Sequence, residues 1–253
     1  MAKKINSLKK TTVVKGKSIH PWRLCSYGRH WVREHSMHTP PSKKNPGGST
    51  TIRHAHCANN PSGKDQLYPD EIQEIARQNF STVNEKPCPF DPEFPKTGGQ
   101  YDDLIAGWTK YWNDVLNPKM PLEPNMVKAL IATESRYEAK ILANKKTKDS
   151  ARGLLQVTND SRKILGNEKG ELKDHYLTLT REDLNDPNNN ICAGIRWLFR
   201  KREIASSLLG RAATWDEAIY EFKGVRTATK ERGKELMERY NKKLKELSKC
   251  GKP

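Results

Sequence analysis

A run of nine residues, 127–135, constrains the fold of this chain more than any other. Three aliphatic side chains and one acid fall at positions i, i+3, i+4 and i+7 of this run: Val127, Leu130, Ile131 and Glu134. This spacing places the four side chains on one face of an α-helix. The run therefore predicts a buried helix whose apolar face ends in a carboxylic acid.

The acid at the end of this face, Glu134, has two interpretations. Burial disfavours the charged form of a carboxyl group, so a buried Glu134 would have a raised pKa and could act as a general acid near neutral pH. Alternatively, Glu134 lies at the helix end, points into water and has no catalytic role. Periodicity alone favours the second interpretation.

Four segments together change that balance. They read Glu-Ser-Arg-Tyr at 134–137, Ala-Arg-Gly-Leu-Leu-Gln at 151–156, Asp-Pro-Asn-Asn-Asn-Ile-Cys-Ala-Gly-Ile-Arg-Trp-Leu at 186–198 and Ala-Ile-Tyr-Glu-Phe-Lys-Gly at 218–224. In this order and spacing they resemble the catalytic domain of soluble-type lytic transglycosylases, which is related to goose-type lysozyme. The resemblance covers roughly residues 100 to 225, about half of the chain.

The resemblance implies a mostly α, lysozyme-like helical domain that acts on peptidoglycan glycan strands. It implies cleavage of the β-1,4 bond between N-acetylmuramic acid and N-acetylglucosamine, leaving 1,6-anhydro ends. Glu134 would serve first as acid and then as base, without a cofactor for catalysis. The residues that match the substrate-binding motifs are Ser135, Tyr137, Gly153, Leu155, Gln156, Asn190, Phe222 and Lys223.

One segment departs from the family pattern. Phe222-Lys223 stands where the family has Tyr-Asn, so the tyrosine hydroxyl is absent unless Tyr220 replaces it, and Lys223 could hold the substrate in place of the asparagine. A noncatalytic wall- or nucleic-acid-binding protein on a lysozyme scaffold therefore stays open. A goose-type-like muramidase, a hydrolase, is the closer alternative, with Asp149 as its second carboxylate.

The segment 20–68 differs in composition from the rest. Two predicted strands, 31–33 and 51–53, flank a loop from Pro40 to Ser49 and form a β-hairpin. Six of the seven histidines lie in this segment, and the hairpin would gather a set suited to a structural zinc. The candidate ligands are Cys25, His30, His35, His56 and Cys57. The alternative is a hairpin whose histidines form hydrogen bonds and whose cysteines pack in the core. The odd number of five cysteines does not suggest a disulfide framework.

The chain divides into four predicted parts. Residues 1–19 form a flexible basic tail, 20–68 the small module, 69–99 a helix with a Pro/Gly-rich linker, and 100–250 the lysozyme-like domain. Within that domain Trp108 and Trp112 are expected in the core. The stretch from Glu231 is expected to form an amphipathic helix on its surface.

The formal net charge of +16 predicts an anionic partner, such as the bacterial wall or nucleic acid, and the nucleic-acid case rests on charge alone. No apolar run reaches the ~20 residues that a membrane span requires. No apolar segment follows the basic start, so no Sec-type signal is expected. The protein is then expected to reach the cell wall or periplasm through a secretion system or a phage route, and to be a monomer.

Overall fold

The computed structural model describes residues 19–144, 146–147 and 149–249. The predicted basic tail lies outside the described residues, except for Ile19. Cys250 also lies outside them.

Helices account for most of the regular secondary structure of the described residues, which confirms the mostly α class. The helices are α1 Pro69–Asn79, α2 Asp102–Leu116, α3 Pro124–Ser135, α4 Asn159–Gly166, α5 Pro187–Leu209, α6 Trp215–Phe222 and α7 Lys230–Leu247. The strands are β1 Arg29–Val32, β2 His35–Thr39, β3 Ser49–Arg53, β4 His56–Asn59, β5 Gln66–Leu67 and β6 Tyr176–Leu177. Among the helices of the described ranges, none combines the length and the apolar character needed to cross a membrane.

Local sequence signals set several helix boundaries. Pro69 occupies the first turn of α1, where its missing N–H costs nothing. The Asp186 side chain accepts a hydrogen bond from the Asn189 N–H and begins α5. Thr214 and Glu217 form the reciprocal capping box that begins α6. These signals depend only on neighbouring residues, which is why the sequence reveals them.

Helix α5 lies at the centre of the core and packs against α1, α2, α4 and α6, whereas α3 packs between α2 and α7. The indole nitrogen of Trp108 donates to Asn188 Oδ1 at 2.6 Å, and that of Trp112 donates to the Cys192 carbonyl at 3.0 Å. Both indoles are buried and their polar groups are satisfied by α5. These tryptophans therefore join α2 to α5, as expected for core residues.

The N-terminal segment forms an antiparallel hairpin in two parts, and the predicted strands 31–33 and 51–53 lie in different parts instead of pairing with each other. β1 pairs with β4, and β2 pairs with β3 in a register that runs from His35 opposite Arg53 to Thr39 opposite Ser49. Nearly all side chains of β2 and β3 are exposed to solvent. This outer part of the hairpin projects from the helical body.

The predicted zinc site is wrong. Cys25 and Cys57 form a disulfide, so neither thiolate is available to a metal. His30 stacks on Tyr68 with ring centroids 3.9 Å apart. Nδ1 of His35 lies 3.0 Å from the Arg33 carbonyl, and Nδ1 of His56 lies 3.0 Å from the His54 carbonyl. No group of His, Cys, Asp and Glu suited to a metal occurs within the part of the chain that the structure describes.

The cysteine count misled the prediction because it treats all five residues alike. The hairpin does bring Cys25 and Cys57 together, as predicted, but the bond between them is covalent. Cys192 is a buried residue of α5 with a free thiol. An odd number of cysteines is therefore compatible with a disulfide.

A buried ionic cluster attaches the hairpin segment to the helical body. The Arg23 guanidinium pairs with Asp65 and, at 2.7 Å, with Oε1 of Glu71 on α1. The side chains of Arg23 and Glu71 are almost fully buried. Glu71 also accepts hydrogen bonds from the backbone N–H groups of Leu24 and Trp31. The segment is thus held by a disulfide and by docking rather than by a metal.

Candidate active site

Glu134 lies at the C-terminal end of α3, on the face predicted from its spacing. Val127, Leu130 and Ile131 of that face are 0%, 1% and 0% exposed, whereas the Glu134 side chain keeps 21% of its surface in contact with solvent. The carboxylate therefore lies at the edge of the core. One side of the carboxylate contacts the protein interior, and the other side is open to a ligand from solvent.

The Lys223 ammonium contacts the Glu134 carboxylate. Lys223 follows the last residue of α6, and its side chain is only 2% exposed. Its Nζ pairs with Glu134 Oε1 and lies 3.3 Å from the hydroxyl oxygen of Thr133. Charge-assisted contacts of this kind are strong and directional. The pair fixes the orientation of the carboxylate and closes one side of it to solvent.

The turn after Glu134 has a strained backbone and is stabilised by buried hydrogen bonds. Arg136 and Tyr137 both have positive φ angles, 54° and 64°, a conformation that non-glycine residues rarely adopt. The Tyr137 hydroxyl donates to the buried carboxylate of Asp91 at 2.9 Å. Lys243 of α7 donates to the other oxygen of Asp91 at 2.9 Å. Burial, together with this hydrogen bond to Asp91, raises the pKa of Tyr137, so the phenol remains a neutral donor.

Gly153 is required by a close contact with α5. Its φ is +73°, and a Cβ at this position would lie 2.1 Å from Nδ2 of Asn190. The neighbour that requires glycine at this position is therefore the Asn190 side chain.

Asn190 is fully buried and serves the backbone. Its Nδ2 donates to the carbonyls of Arg152 at 3.0 Å and Leu184 at 2.9 Å, and its Oδ1 accepts from the Leu155 N–H at 2.8 Å. All of these partners are main-chain groups, and the residue is 0% exposed. Asn190 shapes the segment 151–157 and has no surface left for a substrate.

The remaining candidates from the motifs mostly shape the site. Ser135 and Leu155 are buried, and the Ser135 hydroxyl donates to the Ile131 carbonyl at 3.0 Å. Gln156 is half-buried, and its Nε2 donates to the Gly153 carbonyl at 2.8 Å. Phe222 packs against the core. Among the predicted substrate residues, Lys223 therefore makes the closest contact with Glu134.

Two residues raised as alternatives lie elsewhere. The Asp149 side chain is 68% exposed, accepts from Asn159 Nδ2 at 2.8 Å and pairs with Arg181 at 3.4 Å. Tyr220 is exposed and lines a groove between α5, α6 and α7 that includes Leu208. Tyr220 therefore lies in a different groove and does not take the place of the family's tyrosine beside Glu134.

Three residues that contribute to the site were missed in the sequence: Thr133, Asp91 and Lys243. Thr133 is the half-buried residue before Glu134, and its place beside the candidate acid could have suggested a role. Asp91 belongs to the Pro/Gly-rich segment and Lys243 to the last helix, 152 residues away. No local pattern connects these two, so only the folded chain shows their contact.

Comparison with known proteins supports a family assignment for this site. No curated protein and no solved structure matches the chain. Residues 114–214 match the family described as Transglycosylase SLT domain. The matched region contains Glu134, Gly153 and Asn190 and ends before Lys223. The match supports a lysozyme-like catalytic domain of the lytic transglycosylase type in this region of the chain, and domains of that family act on peptidoglycan.

Proposed function

We propose that this protein is a lytic transglycosylase that cleaves the bond between N-acetylmuramic acid and N-acetylglucosamine and leaves 1,6-anhydro ends. The observation that carries the proposal is the position of Glu134 inside the matched domain, at the edge of the core, with its carboxylate held by Lys223. The substrate belongs to the cell wall, which is where the SLT domain acts.

The reaction needs one protein carboxylate in two roles. Glu134 first donates its proton to the glycosidic oxygen, and the bond from that oxygen to C1 of the muramic residue breaks. The carboxylate then accepts the proton of the C6 hydroxyl, whose oxygen forms the new bond to C1. Glu134 ends with the proton it began with, and no water is consumed. Ordinary glycosidases need a second carboxylate for the attack.

Lys223 supports both steps in this proposal. Between them Glu134 is an anion, and the ammonium that contacts Oε1 stabilises it. For the first step the ammonium has to leave Oε1. An N-acetyl oxygen of the substrate is a suitable alternative acceptor, in the role that the family gives to asparagine. Lys223 would then move between substrate and carboxylate.

The exposed position of Asp149 supports the transglycosylase over the hydrolase. A retaining hydrolase requires a nucleophile about 5–5.5 Å from the acid, and an inverting one a base about 6.5–9.5 Å away. Asp149 is instead occupied by Asn159 and Arg181 in a solvent-exposed turn. We expect Asp149→Asn to reduce activity only modestly.

The test is Glu134→Gln, which keeps the shape of the side chain and removes its acid–base chemistry. Loss of a general acid–base group lowers rates by roughly 10²–10⁴-fold. Clearing of a peptidoglycan suspension should fall by that factor while the circular dichroism spectrum stays unchanged. The matched control is Glu138→Gln, an exposed glutamate four residues further along the chain. Clearing by Glu134→Gln at the wild-type rate would refute the catalytic assignment.

A further inference from the structure

Cys88 lies in the segment that supports the active-site turn, and it is engaged in a disulfide. Its side chain is 7% exposed. Cys25 and Cys57 bond to each other, and Cys192 carries a free thiol. The chain has five cysteines, so Cys250 is the one partner within the chain that these assignments leave for Cys88.

The backbone of Cys88 is fixed on helix α3. Its N–H donates to Oδ1 of Asn125 at 2.8 Å, and its carbonyl accepts from Nζ of Lys128. The Lys128 side chain is fully buried and also pairs with Asp102 of α2 at 2.7 Å. Cys88 therefore lies against the helix that carries Glu134.

The residues after Cys88 connect the active-site turn to α7. Asp91 accepts from the Tyr137 hydroxyl of that turn and from Nζ of Lys243 on α7, both at 2.9 Å. Glu93 lies 2.9 Å from the same ammonium. Burial would lower the pKa of Lys243, but hydrogen bonds from its carboxylate partners outweigh burial and raise it, so the ammonium stays charged. The segment 88–93 is thus the link between α7 and the turn.

The Asp91–Lys243 contact also limits the separation of the two cysteines along the chain. Cys88 is three residues from Asp91, and Cys250 is seven residues from Lys243. A residue spans at most ~3.6 Å, so both cysteines lie within a short length of chain from one fixed contact. Such proximity raises the effective concentration of one thiol at the other and favours a bond between them.

We propose that Cys88 and Cys250 form a second disulfide, which acts as a redox switch on the active-site turn; the switch rests on the proposed function. Two thiols become one S–S bond, and their two protons and two electrons pass by exchange to an oxidising disulfide, which leaves as two thiols. The bond fastens α7 to the segment 88–93, so that Asp91 keeps the Tyr137 hydroxyl in place. In the reduced form this support weakens and the rate of cleavage falls.

The switch separates synthesis of the chain from its action. The cytosol keeps thiols reduced, whereas disulfides persist in oxidising compartments such as the periplasm and the cell surface. The wall on which the SLT domain acts lies on the oxidising side. A chain made in the cytosol therefore reaches full activity only beside its substrate.

Mapping of the disulfides tests the covalent link without a measurement of activity. The full chain, purified without reductant, is treated with iodoacetamide and digested with trypsin before any reduction. Mass spectrometry should find the Cys88 peptide linked to the Cys250 peptide in a monomeric protein. Alkylation of either cysteine, or a bond from Cys88 to a second copy of the chain on a non-reducing gel, would overturn the proposal.

Rates of clearing test the switch. Cys250→Ser should clear a peptidoglycan suspension with a kcat about tenfold below the wild type and a smaller change in KM, which is less than the ~10²-fold cost of a 1 Å misplacement. Its melting temperature should fall by roughly 5–15 °C. Full reduction of the wild type with dithiothreitol, verified by the mass that iodoacetamide adds, should lower kcat by the same factor. The reductant should not lower the kcat of Cys250→Ser further.

The matched control is Cys25→Ser combined with Cys57→Ser, which removes the other disulfide. This variant should keep the wild-type kcat and its sensitivity to dithiothreitol, because its disulfide lies in the hairpin segment. A wild-type kcat in Cys250→Ser or in the fully reduced wild type would overturn the switch. Detection of the Cys88–Cys250 link without cleavage by any form would refute the proposed function, and with it the switch, and would leave the link itself established.

Discussion

Lys223 and Glu134 lie 89 residues apart in the chain, and the ammonium of the one contacts the carboxylate of the other at the edge of the core. The Lys223 side chain is almost fully buried, whereas the carboxylate remains open to solvent on one side. Within the described residues, Lys223 forms an ion pair with no carboxylate other than that of Glu134. The pair therefore links the end of α6 to the proposed catalytic group.

Replacement of Lys223 tests the role of this pair. Lys223→Met keeps the length of the side chain and removes its charge. Loss of one preorganised donor costs roughly 10²–10³ in kcat in well-studied sites, so we expect a fall of about that size. Lys223→Asn supplies the amide that the family has at this position and should retain more activity than Lys223→Met. Wild-type kcat and KM in both variants would contradict the assignment.

The Cys25–Cys57 disulfide should stabilise the hairpin segment. Cys25 and Cys57 close a loop with a sequence separation of 32. In the chain-entropy treatment, removing such a link costs about 3–4 kcal/mol of unfolding free energy. Cys25→Ser combined with Cys57→Ser should lower the urea midpoint accordingly, measured by tryptophan fluorescence.

A chelator supplies the matching control for the metal alternative. If the segment were held by zinc, EDTA would lower the melting temperature of the wild type. We expect the melting temperature to stay unchanged with EDTA and to fall in the double serine variant. The reverse pattern would restore the zinc interpretation.

The parts of the fold that depend on local sequence could be predicted. The apolar face of α3, the Asp186 cap and the Thr214 capping box are set by residues within one or two helical turns. The environment of Glu134 could not be predicted in the same way. Periodicity placed it on an apolar face, but its partner Lys223 arrives through the packing of α6, which no local pattern encodes.

Contacts between residues that are distant in the sequence could not be predicted. Gly153 and Asn190 belong to two motifs that lie far apart in the sequence, and their contact appears only in the folded chain. Similarly, the proximity of Cys25 and Cys57 was predicted from the hairpin, but proximity alone does not distinguish shared metal ligands from a covalent bond. The two cysteines were therefore placed together correctly and given the wrong role.

Acid should destabilise the protein through Asp65. Burial alone would raise the pKa of Asp65, but the Arg23 guanidinium and the His175 hydrogen bond outweigh it and lower the pKa from 3.8 to about 2. A carboxyl group with a lowered pKa stabilises the folded state above its unfolded pKa, and this contribution disappears as pH falls through the folded value. We therefore expect a loss of about 2 kcal/mol between about pH 4 and pH 2 from this group.

The variant Asp65→Asn isolates that contribution. It should be less stable at neutral pH, because Arg23 loses a buried partner, and its unfolding free energy should depend less on pH between about 4 and 2. The control is Asp160→Asn, since the Asp160 side chain is 90% exposed. An identical pH dependence for Asp65→Asn and the wild type, measured by urea unfolding, would refute the assignment.

The network behind the active-site turn gives a further prediction. Tyr137→Phe removes the hydroxyl that donates to Asp91 and leaves one buried oxygen without this partner. Such a loss costs roughly 1–3 kcal/mol. The strained turn after Glu134 should also become less well held, so kcat should fall while KM changes less. A variant with wild-type stability and kcat would show that the contact does not position the turn.

The chemical form of the released sugar ends distinguishes a lytic transglycosylase from a hydrolase. Purified peptidoglycan is digested with the wild type, and the released fragments are analysed by mass spectrometry. We expect muropeptides that end in 1,6-anhydro-N-acetylmuramic acid, lighter than the reducing forms by the mass of one water because no water is consumed. We expect Glu134→Gln to release almost no fragments and Asp149→Asn to release the same anhydro products. Reducing ends as the main product, lost in Asp149→Asn, would contradict this expectation and identify a two-carboxylate hydrolase.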